Sequence, residues 1–326
     1  MAAAWAGRAR LMPALLLAAL LLGGCATQTR ALRAAPPPGA ASRLELAATP
    51  FFAQERYQCG PAALAMALGA AGIAVAPDAL VPQVYLAERE GSLQVEMLAA
   101  ARRNGALGVT IAPRLEALLA ELQAGHPVLV LQNLSLPIFP RWHYAVAIGY
   151  DLAQGDIVLH SGTTQHMVMS MSTFEHTWAR SGYWGMVALA PGQLPASSSR
   201  ETVLDALVAW EQSGKPDAVR QSYAAAERRW PGELGLLLGL GNTAYGAGDR
   251  AGAADAFRRA TQAHPDSAPA FNNLAVVLSE QGDYAAARQA AGRALALGGP
   301  WRAEAQATLD TIDRAERQGR PAARRQ

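Results

Sequence analysis

The chain of 326 residues carries 28 lysines and arginines against 26 aspartates and glutamates, a net charge of +2, and has two cysteines. A balance this close to neutral, with no basic stripe interleaved with aromatics, excludes a nucleic-acid binder of the usual electrostatic kind. Two thiols exclude a disulfide scaffold, and past residue 25 no apolar run is long enough to span a bilayer.

Residues 1–25 read as a targeting segment. Arg8 and Arg10 give it a basic start, Leu11 to Leu22 an apolar core too short for a permanent span, and Leu22-Gly-Gly-Cys25 closes it. Leu-Gly-Gly-Cys resembles the lipobox of bacterial lipoproteins. That resemblance implies cleavage before Cys25, lipid on its sulfur and on the new amino terminus, and, with Ala26 following, a place on the outer membrane facing the periplasm. Multiple acyl chains anchor stably, since each buried methylene adds about 0.8 kcal/mol. Residues 26–47, rich in Ala, Pro, Ser and Arg, read as an extended, disordered tether.

Residues 48–192 form the next unit, organised around Gln54 to Leu68. Cysteine, glycine and proline followed by an apolar run place Cys59 at a helix's first turn, where unpaired N–H groups and the helix dipole favour a thiolate. Pro61 suits the first helical position, and Gln54, five residues upstream of the cysteine, can offer an amide N–H to an oxyanion. The nucleophile helix is expected over Ala62–Ala71, a second over Pro77–Leu86, and a third from Gly91-Ser-Leu-Gln94 to Asn104-Gly105. Strands at 109–112 and 128–131 flank a helix at 114–124. Strands at 142–150, 156–160 and 166–171, a short helix at 173–179 and a strand at 183–190 complete an α+β domain.

His143 opens one of these strands as His-Tyr-Ala-Val-Ala-Ile. A histidine within reach of a helix-start cysteine makes a thiolate–imidazolium pair. In this combination of Gln54, Cys59-Gly-Pro and His143-Tyr, residues 48–192 resemble papain-like cysteine peptidases of the bacteriocin-leader-processing family. The resemblance implies a papain-like fold with Cys59 as nucleophile, His143 as general base and Gln54 in the oxyanion hole. The family also has an aspartate on the strand after the histidine strand, and here Ser161 stands in its place. Asp151 and Asp156 belong to the intervening turn, and Asp151 lies about 26 Å along the strand from His143. A hairpin closed there makes His143 face residues 161–165, so Ser161, Thr163, Thr164 or Gln165 can accept the imidazole N–H. If Cys25 is acylated, Cys59 is a solitary thiol in an oxidising compartment, a liability unless it is buried or employed. His160 and His166 show no metal-ligand spacing, and neither metal nor cofactor is expected.

Pro191 to Arg200 reads as a boundary, and residues 200–316 repeat with a period of thirty-four. Gly214, Gly248 and Gly282 keep that interval, as do Ala226, Ala260 and Ala294. Leu240-Gly241, Phe257, Pro265, Leu274 and Tyr284 fall where a tetratricopeptide repeat puts them, giving about three repeats, an all-α solenoid, with a cap helix at 301–316 and a basic tail at 317–326. The wall formed by the first helix of each repeat offers Leu238, Asn242 and Tyr245, then Asn272, Val276 and Ser279, to an extended partner.

Two functions follow as expectations. One is a lipid-anchored thiol peptidase whose repeats recruit a peptide or protein. The other is an inactive peptidase-like scaffold. Retention of Gln54, Cys59 and His143 together favours the first.

Overall fold

The computed structural model describes residues 26–53, 58–213 and 215–319. Cys25 and the rest of the targeting segment, and Gln54, lie outside the described residues. The chain forms two compact units, one built from residues up to Ala101 with Gly108–Ala188 and Pro195–Ser198, the other from Arg102–Leu107, Leu189–Leu194 and Ser199 onward.

The elements of the first part run α1 (Thr27–Ala34), β1 (Arg43–Glu45), α2 (Cys59–Ala70), α3 (Pro77–Val84), β2 (Tyr85–Leu86), β3 (Gly91–Ser92), α4 (Gln94–Arg103), β4 (Leu107–Thr110) and α5 (Leu115–Gln123). Then come β5 (Val128–Asn133), β6 (Trp142–Asp151), β7 (Asp156–Ser161), β8 (Thr164–Ser170), α6 (Met171–Ala179) and β9 (Gly185–Leu189). The main sheet has the order β4-β9-β5-β6-β7-β8, with β1 also paired to β6. Register in β5–β6 sets Gln132 opposite His143, and in β6–β7 it sets Val146 opposite His160. Strands β5 and β6 are buried on both faces from Val128 to Asn133 and from Tyr144 to Tyr150. This explains their near-continuous apolar sequences, which alternation alone would not produce.

Helix α2 is buried from Gly60 to Leu68. Its alanines and glycines permit close approach: a Cβ on Gly69 would lie 2.6 Å from Pro50 Cγ. Any side chain there would push the incoming chain off the helix.

The N-terminal stretch differs from the extended tether expected of it. Thr27–Ala34 is helical, with Leu32 1 % and Thr29 6 % exposed, and β1 joins the sheet opposite Gly149–Asp151. Eight residues are too few to hold a helix by themselves. The cause is tertiary: the buried Glu175 carboxylate of α6 accepts the N–H groups of Gln28 (3.0 Å) and Thr29 (2.7 Å), while Gln28 Oε1 accepts the Leu115 N–H at 2.7 Å. Composition does not reveal a cap supplied from so far along the chain.

The second unit is helical: α7 (Arg200–Glu211), α8 (Pro216–Arg229), α9 (Leu234–Gly246), α10 (Arg250–Ala263), α11 (Ala268–Glu280), α12 (Tyr284–Leu297) and α13 (Arg302–Gly319). The thirty-four-residue period is physical. Asp249 and Asp283 each accept an N–H three residues on, capping α10 and α12, and the preceding Gly248 and Gly282 take φ of +81° and +83°. A Cβ on Gly239 would meet the Tyr223 ring at 2.3 Å, and one on Gly241 the Phe257 ring at 2.2 Å. Glycine there lets an aromatic ring of the neighbouring helix lie against the backbone. The fold is thus an α+β domain with an antiparallel sheet, followed by packed helices of tetratricopeptide type.

Candidate active site

Cys59 is the first residue of α2, so its amide and that of Gly60 have no partner within the helix. The main-chain groups of Tyr144, Gly60 and Cys59 itself lie close enough to its sulfur to favour the thiolate. The Tyr144 N–H belongs to the peptide that joins it to His143. The fold therefore seats the thiol directly on the first residues of β6.

Side chains alternate along that strand. Trp142 and Tyr144 line the cleft that also holds Cys59. The Tyr144 hydroxyl donates to the Ser92 carbonyl at 3.0 Å, tying β6 to the β2–β3 hairpin. Ser92 in turn packs on α2, where a Cβ on Gly60 would fall 2.2 Å from its Oγ.

His143 Nε2 lies 2.9 Å from Ser161 Oγ. Of the four residues that could face the imidazole, Ser161 is the one that does. Ser161 is 6 % exposed and paired with Thr164 across a tight turn, which holds its hydroxyl in place. Asp151 and Asp156 pair with each other at the far end of the β6–β7 ladder. Gln132, opposite His143 on β5, donates to Thr177 Oγ1 at 2.7 Å and so links this face to α6.

Electrostatics differs from the sequence expectation. Burial pushes the Cys59 thiol up, against the lowering effect of the main-chain groups of Tyr144 and Gly60. Helix-start amides alone would favour the thiolate, but desolvation outweighs them. Burial, aided by the Arg141 charge, brings His143 down to about 4. At neutral pH Cys59 is therefore a thiol and His143 a neutral imidazole, each uncharged.

The cleft encloses about 790 Å³. One wall is the β2–β3 hairpin and its continuation, including Arg89 and Leu93; the other includes Arg141, Trp142 and Arg180, with Leu131 below. The hairpin and Ser92 are not evident from sequence, because Tyr85-Leu86 continues an apolar helical pattern. A left-handed Glu90, at φ +48°, closes the turn without the glycine that marks such positions.

Four other histidines have partners: His160 Nε2 is 3.2 Å from the Thr49 carbonyl, His126 Nδ1 2.8 Å from Glu121, His166 Nδ1 2.9 Å from Glu45 and His264 Nε2 2.8 Å from the Gly232 carbonyl. On the repeats, Asn242 is exposed and accepts from Asn273 Nδ2 at 3.3 Å, while the Tyr245 hydroxyl donates to Glu280. Asn272 departs from the expected wall: it is 4 % exposed, turned toward the helix packing, and Asn273 occupies the outward position beside Asn242.

The pattern of the Peptidase_C39 like family matches residues 47–186, and that of the Tetratricopeptide repeat matches residues 256–289. No curated protein matches the chain. The chain thus carries a Peptidase_C39-like domain followed by a tetratricopeptide repeat.

Proposed function

We propose that this is a cysteine peptidase in which Cys59 attacks a peptide carbonyl and His143 manages the proton. The observation that carries the reading is the thiol seated on the His143–Tyr144 peptide while His143 Nε2 is held by Ser161 at 2.9 Å. With Nε2–H donating to Ser161 Oγ, Nδ1 is the nitrogen left to accept the thiol proton, the role an asparagine-held imidazole plays in papain-like enzymes. The sulfur–carbon bond forms as that proton moves to His143. The tetrahedral oxyanion meets the backbone amide of Cys59, with the Gln54 side chain as second donor. Collapse breaks the carbon–nitrogen bond, and the amine leaves with the proton from His143. Water, deprotonated by the same imidazole, then hydrolyses the thioester and returns the thiol.

The repeats recruit a protein partner, with Asn242 and Tyr245 on the outward face. Cys25 is the lipidation site, and the protein sits in the bacterial envelope, on the outer membrane facing the periplasm. Because α1 starts at Thr27, the folded domain begins two residues after the anchor. In this reading the domain is held close to the bilayer instead of on a long tether.

Intact-mass labelling with an electrophilic peptide probe, alongside turnover of a peptide pool, tests the assignment. Wild type should take up one probe at Cys59 and cut peptides, Cys59→Ala should do neither, and His143→Ala should label slowly without cutting. Equal labelling of wild type and His143→Ala, with no peptide cut by either, would leave a scaffold.

A further inference from the structure

The two walls of the cleft carry mainly positive charge. Arg89 stands on the hairpin wall, Arg141 and Arg180 on the other, and Glu90 is the one acidic residue among the described residues that line it. Arg180 is engaged in structure, its Nη1 donating to the carbonyls of Asn133 (3.0 Å) and Ser135 (2.9 Å). Arg89 and Arg141 are exposed, and no carboxylate pairs with either among the described residues.

Arg141 is also fixed in position. Asn133, 2 % exposed, accepts the N–H groups of Ser135 (3.0 Å) and Arg141 (2.8 Å) on its Oδ1, and the Arg141 carbonyl accepts from Leu134 N at 2.9 Å. This closes a loop whose crown is apolar: Ile138 is 76 %, Phe139 73 % and Trp142 51 % exposed. Isolated exposed apolar residues need no explanation, but Trp142 lines the cleft together with Arg89 and Arg141, and Ile138 and Phe139 precede Arg141 by two to three residues in the same loop.

We infer that this cleft selects an acidic peptide segment, one whose carboxylate side chain pairs with Arg141 or Arg89 and whose adjacent large apolar side chain lies on Ile138, Phe139 and Trp142. The inference rests on the reading of the cleft as a peptidase site and names the substrate class of that site. Arg141 disfavours charge on His143, so a substrate carboxylate placed on Arg141 offsets that effect. An acidic substrate then promotes the imidazolium needed in the transition state as well as binding more tightly. Acidic peptides should gain in kcat and not in KM alone.

The test uses the full chain carrying Cys59→Ala, so that binding is read without cleavage, and fluorescent alanine–leucine octapeptides with amidated ends in which one glutamate is walked along the sequence. The same series with glutamine is the control. The best glutamate peptide should bind roughly two- to fivefold more tightly than its glutamine twin, the range for one exposed charge pair, with the advantage shrinking in high salt. Arg141→Gln and Arg89→Gln should together abolish the preference. A further series with free carboxyl ends separates side-chain recognition from capture of a chain end. Equal affinity for glutamate and glutamine peptides, a preference confined to free carboxyl ends, or no binding by either series would overturn the inference. Acidic peptides that bind Cys59→Ala selectively but are not cut by wild type would leave it standing and remove the peptidase assignment instead.

Discussion

Replacing Ser161 with aspartate puts a carboxylate beside the imidazole, and the geometry predicts how far that moves His143. With Ser161 Oγ 2.9 Å from Nε2, a carboxylate there would set opposite charges about 4 Å apart. At an effective dielectric constant near 20 the attraction is about 4 kcal/mol, or about three pKa units. Part is returned, because Ser161 is 6 % exposed and a desolvated carboxylate resists ionisation. A net rise of about one to two units remains, lifting the imidazole from its present value of about 4 toward the ordinary histidine range. The ion pair with Cys59 then becomes about ten- to a hundredfold more populated, and alkylation at neutral pH should quicken by a similar factor. Ring resonances followed by NMR against pH, with His143→Gln to assign the signal, give the midpoint, and iodoacetamide kinetics give the consequence. A folded Ser161→Asp protein whose His143 still titrates near 4, and whose thiol reacts no faster, would refute the argument that this position controls the base.

Three further outcomes are expected. An ordinary histidine titrates near 6.5 and the folded His143 near 4, so as pH falls the unfolded chain takes up the proton first; His143's share of stability is complete above about 6.5 and lost between 6.5 and 4, about 3 kcal/mol in all. His143→Gln should flatten that dependence in the hydrogen exchange of β5–β7, and an unchanged pH profile would contradict the burial argument. Glu175→Ala leaves two amides of α1 without an acceptor, costing about 1–3 kcal/mol, so exchange should rise over residues 27–34 and not in β6, while equal protection in both proteins would show the cap to be dispensable. Gly241→Ala drives a methyl group into the Phe257 ring and should destabilise the repeats by about 1–3 kcal/mol; an unaltered thermal midpoint would show that the ring moves aside freely.

Much of the fold and of the cleft is legible in the amino-acid sequence, for reasons that differ from place to place. The repeats are legible because a thirty-four-residue period leaves glycine, alanine and capping aspartate at fixed intervals, each demanded by a close crossing or a tight turn. Cys59 and His143 are legible because helix starts and strand starts carry local signals, and the β6–β7 turn limits which residues the imidazole can face. What stays hidden depends on partners distant in sequence. The acceptor for the α1 amides is Glu175, Asn272 is buried by packing of neighbouring helices, and the low basicity of His143 comes from burial that no spacing encodes. The cleft wall at Ser92 is hidden for a simpler reason: two-residue strands are too short to show alternation.

The origin of the cap on α1 also bears on the order in which the molecule is made. The first-turn amides of this helix wait for a carboxylate lying 147 residues further along the chain. Until α6 has been synthesised and packed, Gln28 and Thr29 have no acceptor, and an eight-residue helix does not persist unaided. On the proposed lipoprotein reading, the segment leading out of Leu22-Gly-Gly-Cys25 therefore stays open to a processing enzyme throughout translocation. Once Glu175 arrives, docking withdraws it. On that reading, an anchor attached early meets a pliant chain, and one attached late meets a folded wall.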